Sequence, residues 1–166
     1  MSLSIEYNPT LDFGETINSN VVIYSIGYEG HTIESFIRRL LELGIEQIID
    51  VRKNPLSRKP GFSKNPLRMA LEQNQIEYVH IPELGIPSDL RKNLKTLRDY
   101  KELFDFYEAE ILPYQENAIQ RAIELIKERR SALMCFEAEP SECHRTRLSM
   151  VIERMTNFRH YYIRRK

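Results

Sequence analysis

The strongest constraint on the fold is an alternation. Strand-like segments at residues 21–26, 45–51, 76–81, 131–136 and 158–163, apolar in the first and fourth and alternating in the third, are separated by stretches whose apolar residues recur at helical spacing. The first run, Val21-Val22-Ile23-Tyr24-Ser25-Ile26, has the composition of a strand buried on both faces. After it, Thr32 caps a helix whose Ile33, Phe36, Ile37, Leu40 and Leu41 share one face, and Gly44 stops it. Asn65-Pro66 opens a second helix, which runs to about residue 73. Residues 99–112 and 116–130 read as two further helices separated by Pro113, and Ser141 as the N-cap of a last one carrying Leu148, Ile152 and Met155. Strands alternating with helices imply right-handed crossovers. The expected class is therefore α/β, a three-layer sandwich with a mainly parallel sheet of about five strands and helices on both faces. Residues 1–20 are polar and aperiodic and read as a flexible N-terminal arm, which leaves 21–166 as a single domain.

The 166 residues suffice for one core without staples, and no apolar run approaches the roughly 20 residues of a bilayer span. With no secretory signal, a cytoplasmic protein with reduced thiols at Cys135 and Cys143 is expected. The net charge is zero, yet residues 52–68 hold Arg52, Lys53, Arg58, Lys59, Lys64 and Arg68 and no acid. A neutral chain with such a segment points to a local anion site.

Ligands of parallel sheets sit outside the carboxyl ends of the strands, where segments 27–32, 50–62 and 137–145 all fall. Gly27-Tyr28-Glu29-Gly30 lacks both the Walker lysine and the third glycine of a dinucleotide loop, but it suits a backbone cradle for phosphate. Asp50 and Arg52 flank Val51 on one side of a strand end. They form either a buried structural ion pair or an oriented clamp for an anion, with Ser57, Arg58 and Phe62 in the loop folding over it. Glu137 ends the fourth strand.

Cys143, His144 and Arg145 open the following helix, where unpaired N–H groups favour a thiolate or an anion. Cys143 is thus a candidate nucleophile, with Arg145 in the anion site. On an ideal helix His144 points about 100° away from Cys143 and makes a poor direct base, whereas Arg147 shares its face. His31 or Glu137 could approach from elsewhere, and Cys135 reads as core. A zinc site of Cys135, Cys143, His144 and His31 lacks the short spacings of known classes, so neither a metal nor a cofactor is expected.

Together Ser25-Ile26-Gly27-Tyr28-Glu29-Gly30, Asp50-Val51-Arg52, Pro55-x-Ser57-Arg58, Gly61-Phe62, Leu84-Gly85, Leu133-Met134-Cys135-Phe136-Glu137 and Cys143-His144-Arg145 resemble the bacterial and archaeal family called domain of unknown function 488, over about residues 21–155. The resemblance implies an α/β fold and a cytoplasmic protein and supplies no reaction. A looser likeness to rhodaneses rests on Asp-x-Arg after a strand and a cysteine between strand and helix. Cys143 is not followed by their anion-cradling loop.

The functional expectation is an enzyme for a small anionic or phosphorylated, nucleotide-like substrate. Arg52, Arg58 and Arg145 would hold the anion, Gly27, Tyr28 and Gly30 would line it, and Glu137, His31 or His144 would move protons. The alternative is a nucleic-acid-binding or regulatory module using the 52–68 loop. No membrane partner is expected, and the sequence carries no signal of oligomeric state.

Overall fold

The computed structural model describes residues 20–166, so the expected arm lies, except for Asn20, outside the described residues. Five strands, β1 (Val22–Gly27), β2 (Gln47–Asp50), β3 (Glu77–His80), β4 (Ser131–Cys135) and β5 (Arg159–Ile163), form one sheet in the order β3-β2-β4-β1-β5. Every neighbouring pair is parallel. Helices α1 (Ile33–Glu42) and α2 (Lys64–Glu72) cover one face, and α3 (Leu97–Phe106), α4 (Glu116–Glu128) and α5 (His144–Thr156) cover the other. This is the expected α/β sandwich.

Strand periodicity decides which side chains meet which layer. In β4, Ala132 and Met134 join the α1–α2 core, while Leu133 and Cys135 join the core built with α4 and α5. Cys135, the last residue of β4, therefore faces the start of α5. The ends of β1, β2 and β4 lie side by side, and the connections leaving β2 and β4 pass to opposite faces. Such a parting of connections opens a crevice at the carboxyl edge.

Several local expectations need correction. Helix α2 begins at Lys64 after Ser63, and Pro66 occupies its first turn, where an N–H has no helical partner to lose. The 99–112 helix is shorter than its periodicity suggests. After Phe106 the chain widens into a π turn over Tyr107–Ile111, which buries Tyr107 and lets its hydroxyl donate to the Leu84 carbonyl at 2.7 Å. Ser141 does not cap α5. It lies within a 3₁₀ turn, Pro140–Glu142, and the extended residue before the helix is Cys143 (φ −129°, ψ 134°).

Candidate active site

The loop after β2 is organised by one buried ion pair. Arg52 donates Nε to Asp50 Oδ1 at 2.9 Å and Nη2 to Asp50 Oδ2 at 2.7 Å, in the bidentate geometry expected of side chains two apart on a strand end. Its Nη1 donates to the Tyr28 hydroxyl at 3.2 Å and the Phe62 carbonyl at 2.8 Å, so four of its five N–H groups are engaged. Burial alone would lower the pKa of this guanidinium, but the Asp50 carboxylate overcompensates and holds it above its ordinary value. Tyr78 also donates to Asp50 Oδ2, at 2.5 Å. Of the two readings of the pair, the geometry carries the structural one fully and leaves Arg52 a single N–H for a ligand.

Around that pair the loop is built in layers. Phe62 stacks on Tyr28 with ring centroids 4.5 Å apart. The Tyr28 hydroxyl donates to Ser57 Oγ at 3.2 Å, and Ser57 Oγ also accepts from the Lys59 amide, so its own proton remains available to a ligand.

Two glycines allow the neighbouring loops to close. A Cβ on Gly27 would fall 1.8 Å from the Glu137 carbonyl oxygen, and one on Gly85 would fall 2.2 Å from the Lys53 amide nitrogen. The first brings the β4 loop against β1; the second presses the 82–98 connection onto the β2 loop.

Where these loops meet there is a cavity of about 360 Å³. Tyr28, Arg52, Ser57, Arg58, Glu137 and His144, all expected site residues, line it. Sequence reasoning missed three contributors: Lys53, Arg91 and Cys135. Arg91 comes from the long connection and pairs with the Glu137 carboxylate across the opening. Its one sequence signal was the basic character and length of that connection. Arg58 is exposed and makes no ion pair among the described residues.

The other expected residues lie elsewhere. Gly27, Gly30 and Arg145 line a neighbouring concavity of about 370 Å³ with Glu29, Glu139 and Arg165. His31 lies in a third, beside α1, where its Nδ1 meets Ser35 Oγ at 2.9 Å. Burial, and then Arg165, lower its pKa. Arg147 pairs with Asp105 at 2.9 Å and Glu108 at 3.0 Å.

Behind the cavity wall lies a sulfur cluster. Cys135 is core as expected, but the expectation of separate reduced thiols is corrected: Cys135 Sγ and Cys143 Sγ are in bonding contact, with their Cα atoms 7.5 Å apart. Cys143 is extended and not helical, so the 100° argument that parted it from His144 does not apply. Both sulfurs and a ring nitrogen of His144 lie within 4.8 Å of one another. Cys135 Sγ is also 3.1 Å from Glu137 Oε2 and accepts from Arg145 Nη1 at 3.0 Å. His144 Nε2 is 3.0 Å from the Val51 carbonyl, and its Nδ1 has no partner among the described residues. Full burial, reinforced by Arg91 and Arg145, lowers the His144 pKa to about 3, so the imidazole is neutral. Burial also lowers Arg145, to about 10, with Glu137 pulling the other way.

The family model described as Domain of unknown function DUF488 matches residues 32–152, which take in every motif above except 25–30. The chain belongs to this family. No curated protein and no solved structure matches it. No helix among the described residues is long and apolar enough to cross a membrane.

Proposed function

We propose that this member of the DUF488 family is an enzyme that binds a small anionic, phosphate-bearing substrate in the cavity at the carboxyl ends of β1, β2 and β4. One observation carries the reading. Arg52, Lys53, Arg58 and Arg91 line that cavity against one carboxylate, Glu137, directly over a sulfur and a neutral imidazole. With Arg52 paired to Asp50 and Arg91 to Glu137, the exposed Lys53 and Arg58 leave an uncompensated positive field at the opening that concentrates anions. The Ser57 hydroxyl and the last N–H of Arg52 add fixed donors at its base. In this reading Glu137, paired with Arg91 and 3.1 Å from Cys135 Sγ, takes or returns the proton.

Titration calorimetry with inorganic phosphate, pyrophosphate and a nucleoside monophosphate tests this. Saturable binding is expected, weakened about tenfold or more by Arg58→Ala, the loss of one charge-assisted hydrogen bond. Absence of binding by all three at low salt rejects the reading. Salt-dependent binding of a single-stranded oligonucleotide that outcompetes all three would favour the nucleic-acid module instead.

A further inference from the structure

We propose that Cys135, Cys143 and His144 form a site for a thiophilic divalent cation of the zinc class. The three residues bring two sulfurs and one imidazole nitrogen within 4.8 Å of one another, all buried. That donor set suits zinc and not the harder, oxygen-preferring cations.

Two further observations point the same way. The first is His144, which is 1% exposed. Its Nε2 is held by the Val51 carbonyl at 3.0 Å, and its Nδ1 is left with no partner. A proton on Nε2, donated to a carbonyl, leaves a lone pair on Nδ1. This is the arrangement by which a backbone acceptor orients a ligating histidine. A buried imidazole nitrogen with nothing to bond is otherwise unfavourable.

The second is Arg145, also 1% exposed and without an ion pair among the described residues, whose Nη1 donates to the Glu137 carbonyl at 2.6 Å and to Cys135 Sγ at 3.0 Å. Glu137 acts on this guanidinium without forming an ion pair with it, and a thiolate at Cys135 would give it a negative partner in direct contact. The backbone spacing agrees. Cα atoms 7.5 Å apart exceed the span of about 4.4–6.8 Å usual for a disulfide, whereas thiolates on a shared tetrahedral ion sit about 3.8 Å from each other.

Where the two sulfurs are joined, a thiol reductant must first supply two electrons and two protons to give two thiols; on binding, both thiols then give up their protons to solvent and the two sulfurs and Nδ1 become ligands. Three protein ligands leave a fourth position for water or a substrate oxygen. Cys135 and His144 both line the cationic cavity, so that position opens toward the anion site; this last step rests on the function proposed above.

The test uses the full chain, purified under reducing conditions and titrated with zinc and with cobalt(II). One ion per chain is expected, with a sulfur-to-cobalt charge-transfer band and the strong visible bands of tetrahedral cobalt. Cys143→Ser and His144→Ala should each lower the affinity by about 100-fold or more, and Arg58→Ala should leave it unchanged. If the variants fail to fold, the wild-type cobalt spectrum still decides. Reduced protein that takes up neither metal, cobalt bound without a charge-transfer band, or unchanged affinity in folded variants overturns the site. So does protein isolated as an internal disulfide that binds no metal after reduction. Loss of phosphate binding in Arg58→Ala with metal uptake intact separates the two proposals.

Discussion

Asp50 and Arg52 meet edge-on at the end of β2, with both carboxylate oxygens bonded to the guanidinium at 2.9 and 2.7 Å and Asp50 fully buried. The pair does more than neutralise itself. Through Arg52 Nη1 it fixes Tyr28 from the β1 loop and Phe62 from the β2 loop, so one guanidinium sets two walls of the cavity. Removing the acid leaves an uncompensated buried cation. Asp50→Ala is expected to lose about 3–5 kcal/mol in urea unfolding, more than a surface carboxylate could account for. A loss below about 1 kcal/mol would show that Arg52 finds water and that the pair does not hold the loops.

Gly27 decides whether the β4 loop can reach its place. The missing Cβ would overlap the Glu137 carbonyl oxygen, which belongs to backbone and cannot swing aside. Gly27→Ala should therefore displace residues 137–138, cost about 1–3 kcal/mol or more, and weaken phosphate binding together with stability. Gly44→Ala is the contrast. The nearest atom there is a flexible arginine end at 3.5 Å, so only the strain of φ +65° remains, and anion binding should not change.

Glu137 is the one carboxylate lining the cationic cavity, and it occupies Arg91. Glu137→Gln should tighten phosphate binding several-fold by removing a like charge and freeing Arg91, while turnover of a substrate falls by about 100-fold or more. Calorimetry and a rate assay on the same variant check both halves. Weaker binding in the variant would mean that Arg91 needs its partner to stay in position.

His160 on β5 lies 2.9 Å from Ser25 Oγ, and burial, then Arg145, lower its pKa to about 4. As pH falls below the unfolded value of about 6.5 the unfolded chain gains a proton that the folded chain refuses. Stability is thus full above pH 6.5, declines between 6.5 and about 4, and levels off below. Solvent at this half-buried ring keeps the decline to about 1–2 kcal/mol. His160→Gln should flatten that part of a stability–pH curve; an unchanged slope would assign it to other groups.

The parallel sheet, its strand count and the helices on both faces were legible because β1 and β4 are apolar runs, β3 alternates with a period of two, and the intervening helices show an apolar stripe. The side-by-side placement of Asp50 and Arg52 was legible for the same local reason, a period of two. Helix ends were less so, since Pro66 and Ser141 both carry cap signals that neighbouring residues outcompete.

Local periodicity, then, determined the class and the carboxyl edge on which the candidates fall, while the basic run pointed to Arg58 and the strand-to-helix turn to Glu137 and His144. Only the tertiary structure decided that Arg145 and Gly30 face a different concavity, that His31 stands apart, and that Arg91 crosses 46 residues to reach Glu137. The pairing of Cys135 with Cys143 and His144 belongs to the same class. Seven residues separate the cysteines, a spacing with no short-motif signal, and they meet because β4 aims Cys135 at the layer from which α5 begins. Spacing along a chain constrains neighbours within one element. Contacts between elements are set by how two faces pack, which no single stretch contains.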